Sequence, residues 1–218
     1  MRNRLARARL YLLATSSVAR LPLLDAVGAA IDGGVDMVQL REKTMDKDSF
    51  LVLADDLHLL CAAKNVPLIL NDRVDAAWLM DHDGVHLGQG DAPVAEARRT
   101  LGPDALIGVS THDADEVVRA LADGADYVGI GSVFPTATKG RDVAVSGPEA
   151  LGPLARGAEA AGVPAFAIGG ITGENVASVV DAGFRRVAVC AGILAAPDPA
   201  TAARRIADAL GRDQPARG

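Results

Sequence analysis

An alternation that recurs eight times constrains this chain more than any other feature: a short apolar run, a polar turn, then a longer amphipathic stretch. The apolar runs occupy residues 10–14, 37–40, 68–70, 84–87, 106–109, 127–130, 165–168 and 186–189. Helical patterns fill 21–31, 47–63, 74–80, 94–101, 115–122, 148–161, 174–181 and 200–210. Asp72 supplies a start signal for the third of these and Thr172-x-Glu174 for the seventh, while Asp32-Gly33-Gly34, Asp123-Gly124 and Asp181-Ala182-Gly183 supply stops. Strands alternating with helices imply βαβ units and a parallel sheet. Eight units predict an α/β chain closed into a single-domain (β/α)8 TIM barrel, rather than an open doubly wound sheet of about five or six strands.

The 218 residues suit one such domain over 1–218, with frayed ends at about 1–8 and 212–218. Half the residues are hydrophobic but only 3% are aromatic, so Ala, Val, Leu and Ile must do the packing, as in strands buried on both faces beneath Ala-rich helices. A net charge of −6 argues against a nucleic-acid partner, which wants a basic face, but leaves room for small phosphorylated substrates. Cys61 and Cys190 form neither a CxxC pattern nor a disulfide framework, which predicts a reducing, cytoplasmic setting. The basic opening precedes an apolar run too short for a signal peptide, and no stretch reaches the ~18 apolar residues of a membrane span. Nothing in the pattern sets an oligomeric state.

In a (β/α)8 barrel the chemistry sits in the loops after the strands. After the second strand, Gln39, Arg41 and Lys43 share one face, opposite Leu40. A polar side chain inside the barrel mouth and two cations above it point to an anionic ligand with a hydrogen-bonding ring. Asn71-Asp72-Arg73 follows the third strand and His86-Leu87-Gly88-Gln89-Gly90-Asp91 continues the fourth. Asp72 and Asp91 at neighbouring strand ends suit Mg²⁺, although each alone serves equally well as a helix cap. His86 reads as a hydrogen-bonded structural residue, and His58 and His82 as surface residues without partners. His112 follows Ser110-Thr111 near the site, where helix-start chemistry also accounts for it.

The longest loop, 131–141, offers Thr136, Thr138 and Lys139 to a phosphate. Ile168-Gly169-Gly170-Ile171-Thr172 is a glycine turn into a helix, and Val189-Cys190-Ala191-Gly192 presents a second set of small residues. Such loops after the seventh and eighth strands often build a phosphate site from backbone N–H groups.

Taken in order, Val38-Gln39-Leu40-Arg41-Glu42-Lys43, Asn71-Asp72, Gly84 to Asp91, Gly108 to His112, Gly129 to Lys139 and Ala167 to Ile171 resemble thiamine phosphate synthase over nearly the whole chain. That family joins 4-amino-2-methyl-5-hydroxymethylpyrimidine diphosphate to 4-methyl-5-(2-hydroxyethyl)thiazole phosphate and releases pyrophosphate. The resemblance implies that Gln39 and Ser110 bind the pyrimidine, and that Arg41, Lys43, Asn71 and Lys139 hold the pyrophosphate. It gives Mg²⁺ to Asp72 and Asp91, and the thiazole phosphate to Thr136, Thr138, Gly170 and the backbone at Val189 and Cys190. Lys139, Arg41, Lys43 and Ser110 would act in the chemical step. Cys190 stands where the family commonly has Ser, and Leu13-Ala14-Thr15-Ser16 lacks an Asp that many members show. The alternatives are a thiazole tautomerase on the same barrel, for which Gly131-Ser132 lacks the expected histidine, and a non-catalytic phosphate-ligand sensor, which needs no acidic pair.

Overall fold

The computed structural model describes residues 1–136 and 144–211. Its strands are β1 (Leu10–Ala14), β2 (Met37–Leu40), β3 (Leu68–Asn71), β4 (Gly84–Leu87), β5 (Leu106–Thr111), β6 (Tyr127–Ile130), β7 (Ala165–Ile168) and β8 (Arg186–Val189). They pair in parallel in chain order and close into a barrel, with Leu10 of β1 opposite Val187 of β8. The helices are α1 (Arg2–Arg7), α2 (Leu23–Asp32), α3 (Lys47–Ala63), α4 (Val74–Leu79), α5 (Val94–Leu101), α6 (Ala114–Ala122), α7 (Pro148–Ala160), α8 (Val176–Asp181), α9 (Ala191–Leu194) and α10 (Pro199–Ala209). No helix among the described residues is long and apolar enough to cross a membrane. The (β/α)8 expectation holds.

Local chemistry sets the helix starts. Asp46, Asp113 and Asp198 each accept hydrogen bonds from free N–H groups in the first turn of α3, α6 and α10. Pro148 and Pro199 open α7 and α10, where the missing N–H costs nothing. Strand parity then divides the core into two clusters. Outward residues such as Leu12, Leu40 and Val85 pack beneath the helices, while Tyr11, Met37, Ile69, Leu106, Tyr127 and Phe166 fill the barrel. Tyr11, Tyr127 and Phe166 meet edge to face, with centroids 5.4–5.8 Å apart. Much of a small aromatic complement is thus spent in the barrel centre.

Two expectations fail here. The first residues are not frayed but form α1, whose Leu5 and following Ala8 are buried against the interior cluster. An open lower mouth would expose that cluster to water, and α1 covers it. Arg2 anchors it on Asp126 at 3.1 Å, and Arg186 donates to the Ala6 carbonyl at 2.9 Å. The expected fraying at 212–218 lies outside the described residues.

His82 is not a surface residue either. It is only 6% exposed, and its Nδ1 lies 3.0 Å from His58 Nδ1 across from α3. Burial, and then the neighbouring imidazole, push the His82 pKa down to about 4. Because the unfolded chain binds this proton near pH 6.5, the folded state loses stability as pH falls from 6.5 toward 4, by at most about 3 kcal/mol. Urea unfolding of wild type and His82→Gln at several pH values should show their difference changing over that interval. A difference independent of pH would remove the histidine pair from the acid response.

Candidate active site

The parity that fills the barrel also sends Gln39, Asn71, His86 and Ser110 inward at the upper ends of β2 to β5. They form the floor of a cavity of about 250 Å³, with Arg41, Lys43, Asp72 and Asp91 on its walls. Gln39 is only 2% exposed, and its amide nitrogen donates to the Tyr11 hydroxyl at 2.6 Å. His86 Nε2 lies 2.9 Å from Ser110 Oγ, and Gln89 donates to the Ser110 carbonyl at 2.7 Å. His112 also lines this cavity, with its Nδ1 tied to Glu116 at 2.8 Å.

The helix-cap alternative for the two aspartates does not survive. The cap positions of α4 and α5 are Arg73 and Pro93, and neither helix has a side-chain cap hydrogen bond. Asp72 instead stands at φ 61°, its N–H donating to the His86 carbonyl at 2.9 Å. The turn after β4 folds back so that Asp91 Oδ2 accepts from Gly88 N–H at 2.7 Å. A Cβ on Gly88 would sit 2.9 Å from that same oxygen, so glycine permits the close return. The two carboxyl groups thereby meet. Burial first, and then contact with Asp91, push the Asp72 pKa up to about 6, against the opposing pull of Lys43. Two hard-oxygen donors pressed together fit a divalent cation such as Mg²⁺, which keeps waters and shares ligand oxygens. Among the described residues no group of three His, Cys, Asp or Glu side chains forms a fuller metal cage.

A second cavity of about 370 Å³ adjoins the first and shares Leu13, Arg41 and Ile168 with it. Thr136, Gly169, Gly170, Cys190 and Gly192 line its other side. Backbone contacts hold these loops together. Val133 and Phe134 N–H groups donate to the carbonyls of Ile168 and Gly169 at 3.0 and 3.1 Å. Gly170 has φ 63°, and a Cβ there would lie 2.4 Å from the Pro135 carbonyl oxygen. Cys190 lies between β8 and α9, at the cap position of the helix, and burial pushes its thiol up to about 11 despite Arg41. Val189 is buried in the core and does not line the cavity; only its successor does. Thr138 and Lys139 lie outside the described residues.

Sequence reasoning missed Tyr11 and Tyr127, whose hydroxyls lie 2.9 Å apart beneath the floor. Both read as ordinary members of apolar strands. Their inward parity, in a chain with only two Tyr, was the available signal.

The thiamine monophosphate synthase family model matches residues 10–193. A thiamine-phosphate synthase of Nostoc sp. is 44% identical over 211 residues, which cover 97% of this chain and 58% of the relative. One from Roseiflexus castenholzii is 43% identical, covering 85% and 80% respectively. The solved structure of thiamine phosphate pyrophosphorylase from Pyrococcus furiosus superposes with a TM-score of 0.84 at 31% identity, covering 96% of this chain and 97% of that one. This chain spans little more than half the length of several curated relatives it matches.

Proposed function

This chain belongs to the thiamine monophosphate synthase family, and from that premise we propose that it joins an aminopyrimidine diphosphate to a thiazole phosphate, giving thiamine phosphate and pyrophosphate. The observation that carries the reading is the pair of adjoining cavities. One is walled by charge, the other by small residues and glycine turns, and Arg41 belongs to both. That arrangement suits two phosphorylated partners reacting across a shared wall.

In this reading Gln39 and Ser110 hold the pyrimidine ring, while Arg41, Lys43 and Asn71 surround its diphosphate. Asp72 and Asp91 would hold Mg²⁺, which when bound supplies positive charge to the leaving pyrophosphate. Negative charge grows on that group as its carbon–oxygen bond breaks, so Arg41 and Lys43 favour the transition state over bound substrate. Lys139 has the same proposed role on the strength of its sequence match. Thr136, Gly170 and the backbone at Cys190 hold the thiazole phosphate, with Thr138 proposed beside them. The thiazole nitrogen then attacks the electron-deficient carbon, a step that needs positioning rather than a protein nucleophile. Cys190, whose thiol stays protonated at neutral pH, supplies none. We propose a reducing cytoplasmic compartment as well, in keeping with the free thiols of Cys61 and Cys190.

Purified protein given both substrates and Mg²⁺ should form thiamine phosphate, detected by fluorescence after oxidation. Absence of product with both substrates and metal present would overturn the proposal. Cys190→Ser should change kcat/KM by less than about tenfold, because a protonated, half-buried thiol beside backbone donors contributes mainly shape. A larger loss would give the thiol a role in binding.

A further inference from the structure

Five polar side chains from five strands form one chain of hydrogen bonds across the barrel. Gln39 Nε2 donates to Tyr11 Oη at 2.6 Å, and the two phenol oxygens lie 2.9 Å apart. Tyr127 Oη lies 3.2 Å from His86 Nδ1, and His86 Nε2 lies 2.9 Å from Ser110 Oγ. Burial holds both phenols well above their ordinary pKa, so each keeps its proton at neutral pH. One proton per hydroxyl gives the chain a direction. With Gln39 donating to Tyr11 and His86 neutral, the arrangement that gives each proton an acceptor within the chain has Tyr11 donate to Tyr127, Tyr127 donate to His86 Nδ1, and His86 Nε2–H donate to Ser110. What remains for a ligand is the Gln39 carbonyl oxygen, with the second amide N–H beside it, and the Ser110 hydroxyl proton. Reversing the chain requires flipping the Gln39 amide and changing the histidine tautomer together, and it exchanges both characters at once.

Room for this chain is built into the strands. A Cβ on Gly108 would lie 2.1 Å from the Tyr127 ring, and one on Gly129 would lie 3.4 Å from His86. Glycine inside a strand weakens it and marks a close approach. Here the close approaches are those of Tyr127 and His86.

We infer that Tyr11, Tyr127 and His86 are positioning residues that hold Gln39 and Ser110 in opposite hydrogen-bonding characters, so that the site selects a ring edge carrying one donor and one acceptor. The inference rests on the condensation proposed above and refines its substrate class. A 4-aminopyrimidine offers such an edge, an exocyclic N–H beside a bare ring nitrogen. Its 4-oxo analogue inverts the edge, with a carbonyl beside a ring N–H. An unlinked glutamine and serine could each reorient to suit either; the linked pair resists.

Two measurements test this. Nitrogen-15 NMR of the histidine side chains, with His86 assigned by His86→Gln among the four in the chain, should show His86 protonated at Nε2 and bare at Nδ1. Tyr127→Phe should shift it toward a tautomer mixture. Separately, the wild-type preference in kcat/KM for the 4-amino over the 4-oxo pyrimidine diphosphate should narrow by about tenfold or more in Tyr127→Phe, with KM for the thiazole phosphate unchanged. A purely structural loss would depress both pyrimidines alike. An Nδ1–H tautomer in the wild type, or an unchanged preference in Tyr127→Phe, would overturn the inference. If wild type forms no thiamine phosphate, the condensation fails, and the NMR arm still decides whether the chain has this direction.

Discussion

Asp72→Asn is expected to lower turnover by more than ~10²-fold while leaving the metal-free protein more stable at pH 7. The two effects have one cause. Asp72 meets Asp91 in a half-buried position, and burial together with that contact pushes its pKa up to about 6. Folding therefore works against its charge above pH 6. The unfolded chain releases this proton near pH 3.9, so the pair loses stability as pH rises from about 4 through 6, opposite in sign to the His82 effect. Asparagine removes the charge and tolerates the φ of 61° at this position. After discounting for partial exposure, the gain at pH 7 should be on the order of 1 kcal/mol, and it should vanish near pH 4. Thermal melts without metal at both pH values, with rates measured across a Mg²⁺ titration, check both halves. A variant that turns over like wild type at low Mg²⁺ would sink the metal assignment; one that is destabilised at pH 7 would sink the account of the pair.

Gly170→Ala should damage the second cavity and spare the first. At φ 63° an alanine costs roughly 1–2 kcal/mol. Its methyl group would also lie 2.4 Å from the Pro135 carbonyl oxygen, an overlap with backbone that typically costs about 1–3 kcal/mol to relieve. The strain has two outlets. Either the loop after β6 moves away from the glycine turn, or the fold absorbs the loss. Together they predict a stability loss of about 2–5 kcal/mol, or a smaller loss with KM for the thiazole phosphate raised more than about tenfold. The pyrimidine KM should change little, because Gln39 and Ser110 line the other cavity. Urea unfolding and separate KM determinations distinguish these outcomes. Wild-type stability together with wild-type KM values would show that Gly170 is not needed as glycine.

The local periodicities were legible in the chain. Alternation with period two placed Gln39 inward, opposite in sense to Leu40, and the same rule applied to Asn71, His86 and Ser110 gives the floor of the site. Eight repeats of apolar run and amphipathic stretch implied closure, because parallel strands need helical crossovers and both faces covered. The strand ends were less legible. β3 and β5 run on through Asn71 and Thr111, polar residues that join the ladder only because His86 and Ile130 lie opposite them.

Contacts between elements distant in sequence had to wait for the closed barrel. Asp72 and Asp91 could be paired from their places at neighbouring strand ends, but the cap alternative for each fell only when the turn after β4 brought their carboxyl groups together. Tyr11 and Tyr127 are 116 residues apart, yet their hydroxyls meet at the barrel centre. His58 and His82 become a pair because α3 lies over the residues that follow α4. The first residues were expected to fray, but covering the lower mouth buries Leu5 and Ala8. A sequence records which face each residue prefers, since that depends on its own polarity and its neighbours' spacing. Which two faces meet depends on closure and register, and those come from the summed packing of the whole barrel.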